Sequence, residues 1–209
     1  IIRGEIEIAL RKERSIDEYK DALNSSLNEI IIIEQTINDL LFLAKNEKDL
    51  IIEKQENFYF DEIVDESINE TKNFAKLHQI HIKLIVEDTI EFNGYSNLLK
   101  IAIKNILKNA IQFSYKNSQV IVKNYKKDGF FNISVQDFGI GIEKNEQIKI
   151  FEKFYRTDKS RNKNSGGTGL GMSILKKIVD IHGGIINIES KEDFGTTITI
   201  SFPIKNNFI

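Results

Sequence analysis

The sequence predicts an α/β fold: a two-layer sandwich of helices on a mostly antiparallel sheet, preceded by a helical hairpin too apolar to stand alone. Three observations predict it. Up to about residue 48 the apolar residues recur at steps of three and four, the period of a helix with one buried stripe. From about residue 56 short alternating runs appear, separated by turn residues. Three further helical stretches are interleaved with those runs, which is the pattern of a layered α/β domain. The expected division is therefore residues 1–50 and residues 51–209.

The first helix covers the segment from about residue 5, and the polar stretch Arg11 to Ser15 interrupts it. A second helical pattern begins near Asp17, with Tyr19, Leu23, Leu27, Ile30, Ile33, Ile37, Leu40 and Ala44 on one stripe. Ile31, Ile32, Leu41 and Phe42 widen that stripe beyond what a lone pair of helices covers. A helical bundle between two chains would cover it, and so would packing against the chain's own second domain.

In the second part, Phe58-Tyr59-Phe60 reads as a short strand and Asp61 as the cap of a helix through Ile63, Val64, Ile68, Phe74 and Leu77. His81 to Val86 reads as a strand, and Ser96 as the cap of a second helix through Ile111. A hairpin follows: Val120-Ile121-Val122, a turn at Asp128-Gly129, then Phe131, Ile133 and Val135. Asp137 to Gly169 is loop-rich, with a short amphipathic helix expected around Ile148 to Phe154. A third helix runs from about Leu170 to Ile181 and stops at Gly183-Gly184. Strands at Ile185 to Glu189 and Thr196 to Phe202 complete the sheet.

Composition excludes several classes of function. The chain has 209 residues, a net charge of −2 and no cysteine. Near-neutrality gives no basic face for nucleic acid. Without cysteine there is no disulfide, thiol nucleophile or cysteine-ligated zinc. No apolar run approaches the roughly 18 residues of a membrane span. The chain opens inside an apparent helix without methionine, as a piece of a longer protein would.

Three clusters carry candidate chemistry. Asn105, Lys108, Asn109 and Gln112 share one face of the second domain's middle helix, opposite Ile103, Ile106, Leu107 and Ala110. Asparagine is a poor helix former, so a pair of them on one face suggests a use. Their carboxamides offer oxygen to a hard cation such as Mg²⁺ and N–H to an oxyanion. Taken alone, the face reads equally well as ordinary polar surface. Asp137-Phe138-Gly139-Ile140-Gly141-Ile142 directly follows a strand. Its glycines admit a flat ligand close to backbone, and its carboxylate can accept from an exocyclic amine. In isolation a plain turn is the better reading. Gly166-Gly167-Thr168-Gly169-Leu170-Gly171 opens a helix, where free N–H groups and the dipole favour phosphate. It lacks the Gly-Lys-Ser/Thr ending of a P-loop and the strand context of a dinucleotide fold.

The order of these segments is more informative than any one of them. NILKNAIQFS, DFGIGI, FEKFYR (Phe151 to Arg156) and GGTGLGMSI resemble the N-box, G1 box, F-box and G2 box of histidine kinase catalytic domains. GTTITISFP resembles the closing strand of that family, so the likeness runs from about residue 56 to 204. The fold it implies is the GHKL, or Bergerat, ATP-binding sandwich behind the helical hairpin of a dimeric four-helix bundle. IRGEIEIAL resembles the sequence just after the family's H-box, which places the phospho-accepting histidine upstream of Ile1. On that reading the fragment alone cannot phosphorylate itself. His78 and His81 are read as surface or packing residues, and His182, before Gly183-Gly184, as a helix C-terminal residue whose imidazole sits well against the dipole.

The resemblance implies a role for each matching position. Asn109 would ligate Mg²⁺ and Asn105 would support the metal–phosphate assembly. Asp137 would bind adenine, with Gly139, Gly141 and Ile142 shaping the ring site. Gly167, Thr168, Gly169, Leu170 and Gly171 would follow the phosphates, and Thr197 would contact adenine through water. Arg161, with Lys159 and Lys163, would lie in a loop over ATP and reach the γ-phosphate. Arg156 would assist at the phosphates or form a structural ion pair. Gln112 stands where the family commonly has Lys or Arg, which removes a positive charge from an ATP-binding position. The implied partners are a second copy through the N-terminal helices and a response-regulator receiver domain. Upstream segments would anchor the whole protein in the plasma membrane, with this part cytoplasmic. Two rivals remain at this point: a nucleotide-binding pseudokinase or dimer scaffold, and a GHKL ATPase. The ATPases carry a glutamate at the position of Asn105, to activate water.

Overall fold

Where the apolar period changes, the architecture changes, and the computed structural model shows the result for residues 2–46, 50, 54–157 and 167–204. The chain divides into two units, Ile1–Ala44 and Lys45–Ile209.

The first unit is a helical pair, α1 (Ile2–Leu10) and α2 (Ile16–Ala44). Ser15 sets the start of α2. Its hydroxyl accepts the Glu18 N–H at 3.2 Å, and Glu18 Oε2 accepts the Ser15 N–H at 2.9 Å. This reciprocal capping box starts the helix at Ile16 rather than near Asp17. The Ser15 backbone N–H, followed by its hydroxyl, holds the Glu18 carboxyl below the usual carboxylate range. The Ser25 hydroxyl donates to Glu5 Oε1 at 2.9 Å, which ties α1 back along α2. In the single chain Leu23, Leu27, Ile30, Ile37 and Leu40 are 39–65% exposed. No helix among the described residues is long and apolar enough to cross a membrane.

The second unit contains β1 (Glu56–Tyr59), α3 (Phe60–Leu77), β2 (His81–Val86), β3 (Glu91–Gly94) and α4 (Ser96–Phe113). After them come β4 (Gln119–Lys127), β5 (Phe130–Gln136), a 3₁₀ turn at Lys149–Phe151, α5 (Gly171–Ile181), β6 (Ile185–Lys191) and β7 (Gly195–Pro203). The main sheet has the order β2-β4-β5-β7-β6. Its β2–β4 pair is parallel and the others are antiparallel. β1 and β3 form a separate antiparallel ribbon. Along the sheet, Val120, Val122, Ile133, Val135, Ile198 and Ile200 are buried, while the residues alternating with them are more open. The buried face meets Val64 and Ile68 of α3, Leu99, Ile103 and Ile106 of α4, and Ile174, Leu175 and Ile178 of α5. This is the two-layer α/β sandwich that the alternation predicts.

Several boundaries differ from expectation, each for a local reason. Phe60 is not the end of a strand. Its N–H donates to the Ile90 carbonyl at 3.0 Å, and it opens α3. Its ring is fully buried and sits 5.2–5.6 Å from the rings of Phe92, Phe131 and Phe202. Neither Asp61 nor Ser96 caps its helix. The N-cap positions are Tyr59 and Tyr95, without a side-chain cap, and the Ser96 hydroxyl instead donates to Glu56. β3 was not expected, because a strand of four residues with Phe92 as its inward aromatic leaves little periodicity. The helix expected around Ile148 to Phe154 shrinks to the 3₁₀ turn, and Phe154 leaves it with φ +64°.

Candidate functional site

The helix α4 organises the site. Its apolar face is locked into the core, so Asn105, Asn109 and Gln112 are held on the opposite face, where they are half-buried. At the C-terminal end of α4 the Asp137–Ile142 turn is tied down by backbone. Ile140 N–H donates to the Phe113 carbonyl at 3.3 Å, and Tyr115 N–H donates to the Phe138 carbonyl at 3.3 Å. A Cβ on Gly139 would lie 2.0 Å from the Phe113 oxygen, so only glycine permits this approach. Gly141, at φ +63°, makes an equally close approach to the Lys191 carbonyl.

Asp137 is buried at the head of this turn. Its Oδ1 accepts from Gly139 N–H at 3.0 Å and from Thr196 N–H at 3.2 Å, which orients the carboxylate between the turn and β7. The side chain from β7 on the buried face is therefore Thr196. Thr197 belongs to the other face, in register with Gln136 and Glu189. Thr197, the residue expected at the site, thus lies on the face opposite Thr196, because alternation in a strand makes a shift of one residue a change of face. Ser190 extends the same cluster: its hydroxyl accepts Ile142 N–H at 2.8 Å and lies 2.8 Å from Thr196 Oγ1. Neither Thr196 nor Ser190 had been expected. The doubled threonine gave no way to choose between its members without the strand register. A groove of 510 Å³ runs behind the turn between Ile142–Asn145 and Ser190–Glu192, and it shares only Ile142 with the expected set.

The second glycine segment reaches α4 from the other side. A Cβ on Gly171 would stand 3.1 Å from Asn105 Oδ1, so the first residue of α5 faces the Asn105 carboxamide directly. The first intrahelical bond here is Ile174 N–H to the Leu170 carbonyl. The N–H groups of Gly171, Met172 and Ser173 therefore have no acceptor within the helix. Leu170 is fully buried. Its N–H donates to Thr168 Oγ1 at 3.3 Å, which shapes the entry to α5. Phe154 N–H donates to the Gly169 carbonyl at 3.0 Å, and Arg156 Nη1 donates to the Gly167 carbonyl at 3.0 Å. The segment after the 3₁₀ turn is thereby joined to the glycine segment. Arg161, Lys159 and Lys163 lie outside the described residues.

The two glycine segments thus bracket the amide-bearing stretch of α4. Phe113 is eight residues beyond Asn105, about 12 Å along the axis at the helical rise per residue. One end offers a buried carboxylate beside a glycine-lined approach, and the other offers a helix N-terminus beside a carboxamide. Among the described residues no group of three or more histidine, aspartate or glutamate side chains could hold a metal. The histidines lie elsewhere. His78 stacks on Phe74 at 4.2 Å, His81 is exposed at the start of β2, and His182 follows α5.

Comparison with known proteins accounts for this arrangement. Residues 94–206, more than half of the chain, match the family of histidine kinase-, DNA gyrase B-, and HSP90-like ATPases. The chain belongs to this family. Within it the relatives are sensor kinases, and the chain carries a catalytic domain of the sensor histidine kinase type. It is 32% identical to the signal transduction histidine-protein kinase ArlS of Staphylococcus aureus over 208 residues, which is 97% of this chain and 45% of that protein. The solved mycobacterial sensor histidine kinase MprB superposes with a TM-score of 0.63 at 28% identity, covering 71% of this chain and 97% of that one. Histidine kinase ThkA, solved in complex with the response regulator protein TrrA, shares the fold. Its TM-score is 0.80 at 20% identity, covering 100% of this chain and 58% of that one. The chain spans less than half the length of the curated relatives it matches.

Proposed function

We propose that this chain binds Mg-ATP between α4, the Asp137–Ile142 turn and the start of α5, and donates the γ-phosphoryl group to a histidine outside this sequence. The phosphoryl group then passes to an aspartate of a response-regulator receiver domain. The observation that carries the reading is the bracketing of the Asn105–Asn109–Gln112 face by two glycine segments, with Gly171 set against Asn105.

The roles follow from the chemistry of each position. Asp137, with Oδ1 fixed by two backbone N–H groups, presents a carboxylate to the adenine amine. Thr196 replaces Thr197 as the β7 residue beside it. Gly139, Gly141 and Ile142 shape the ring site. The N–H groups at the start of α5 and the backbone of Gly167, Thr168, Gly169 and Leu170 receive phosphate oxygens. Arg156 holds the Gly167 carbonyl and so supports that backbone. Arg161 remains our choice for the γ-phosphate. Asn109 and Asn105 fit magnesium, which keeps several waters and takes few protein ligands beside phosphate. The Asn105 oxygen already faces the space that a side chain on residue 171 would fill. When bound, the ion neutralises charge on the transferring phosphoryl group. The amide of Asn105 cannot take a proton from water, which disfavours the ATPase reading.

The exposed stripe of α2 supports a second copy as its cover, giving a homodimer through α1 and α2. The sensor kinases among its relatives support a unit on the cytoplasmic side of a membrane-anchored protein.

Titration calorimetry with ATP and Mg²⁺ tests the site. Wild type should bind, EDTA should weaken binding, and Asn109→Ala should weaken it by about tenfold or more, the loss of a metal ligand. Absence of binding by the folded wild-type chain would refute the proposal.

A further inference from the structure

His182 is a buried-side imidazole to which the roles above give no work, yet both of its ring nitrogens are committed. Nε2 accepts the backbone N–H of Tyr95 at 3.1 Å. Nδ1 lies 2.8 Å from the Ile178 carbonyl, which can only accept, so Nδ1 carries the hydrogen. The two contacts together fix one neutral tautomer. Tyr95 is the N-cap of α4, and His182 is the C-cap of α5. The imidazole thus ties the end of α5 to the beginning of α4. Its place at the end of α5 thus involves a second contact, to Tyr95, beyond the helix that it ends.

The other end of α5 is the end that faces Asn105. With His182 at its C-terminus and Gly171 at its N-terminus, α5 is an 11-residue lever laid antiparallel on α4. We propose that His182 is a positioning residue for the nucleotide site: as a neutral imidazole it latches α5 to α4, and its protonation releases the latch and lowers nucleotide affinity. This rests on the Mg-ATP reading above. A proton on Nε2 would set donor against donor at Tyr95, so the bond is lost in the charged form.

The surroundings favour the neutral form. Phe92 of β3, Tyr95 and Phe202 of β7 surround the ring at 6.2, 5.5 and 6.1 Å. Gly94 is close enough that a Cβ there would meet the ring edge at 3.0 Å. Of these only Tyr95 carries an ionisable group, its phenol. On α5 itself Asp180 is paired with Lys176 at 3.2 Å. Burial pushes the imidazole below its ordinary value of 6.5, and the bond to Ile178 opposes this only in part. Because the folded value is lowered, the latch is fully present above the ordinary value and is lost as pH falls through the folded one.

The test compares Mg-ATP affinity of the whole chain for wild type, His182→Gln and His182→Leu between about pH 8 and about pH 5.5, the range of imidazole titration. Folding is checked by circular dichroism at each pH. Gln keeps an acceptor for Tyr95 and does not titrate, so it should bind like wild type at the upper pH. Its profile should then show only the titration of the nucleotide's own phosphate. Wild type should fall further than this at acid pH, by about fivefold, the worth of one hydrogen bond. Leu should bind weakly throughout. Parallel pH profiles for wild type and Gln would overturn the latch while leaving the nucleotide site intact, as would a folded Leu variant with wild-type affinity. If Leu does not fold, the comparison with Gln decides. Failure of wild type to bind at the upper pH would overturn the nucleotide reading and the latch with it.

Discussion

Replacing Gly141 by alanine separates backbone conformation from close approach, because Gly129 supplies an internal control. Both residues have positive φ, +63° for Gly141 and +79° for Gly129. A Cβ on Gly129 meets nothing within 4 Å, so Gly129→Ala carries only the left-handed conformational cost, about 1 kcal/mol. A Cβ on Gly141 would stand 2.0 Å from the Lys191 carbonyl oxygen and 2.6 Å from its carbon. Both atoms are backbone and cannot rotate away, so the turn must part from the β6–β7 hairpin. Two hydrogen bonds hold them together there, Asp193 N–H to the Ile140 carbonyl at 2.9 Å and Ile142 N–H to Ser190 Oγ at 2.8 Å. Losing both adds about 1 kcal/mol each to the conformational term, so Gly141→Ala should cost about 3 kcal/mol in total. Urea unfolding followed by circular dichroism measures both variants, with the slope checked for constancy. Equal losses for the two alanines would refute the argument that backbone approach, and not the left-handed conformation, demands glycine at position 141.

Asn124 sits on the buried face of β4, fully inaccessible, and neither Nδ2 nor Oδ1 meets a protein partner. Asn124→Leu should therefore raise unfolding free energy by about 1–3 kcal/mol in the same urea assay, whereas a loss would mean that an internal water satisfies the amide. Lys100 and Lys104 on α4 pair with Glu66 and Glu70 on α3, but Lys108, one turn further on, has no carboxylate partner among the described residues. Gln112→Lys should raise Mg-ATP affinity by about fivefold, and Lys108→Gln should lower it by a similar factor. Unchanged affinity in both would place this edge of α4 outside the phosphate region. Binding of the Gln112→Lys variant should also lose more affinity in added salt than wild type does, because the gain is electrostatic.

The elements legible in the sequence were those with a sustained period. β2 came out at its observed limits, and the β4–β5 turn was fixed by Asp128-Gly129, both of which take positive φ. What could not be read was set by contacts distant in the chain. Nothing local says that Phe60 leaves β1 to fill a space made by Phe92, Phe131 and Phe202, or that Ser96 turns to Glu56 instead of capping α4. The same division runs through the site. The glycine and asparagine segments were visible because a close backbone approach and a carboxamide face each limit the residue types allowed. Thr196 was missed because the choice between two adjacent threonines depends on strand register alone, fixed by Asp137 across the sheet.

His182 shows a third kind of information. Its place at a helix end was plain, but its partner is Tyr95, on an element 87 positions away in the chain. In the sequence a histidine before two glycines reads as a favourable end for an isolated helix. In the fold the same residue joins the helix that carries the amide face to the helix whose N-terminus lies against Asn105. On the latch proposed above, the site depends on a contact at the far end of α5 from the chemistry. A search confined to residues within reach of a ligand would pass over it, whereas accounting for both nitrogens of each imidazole finds it.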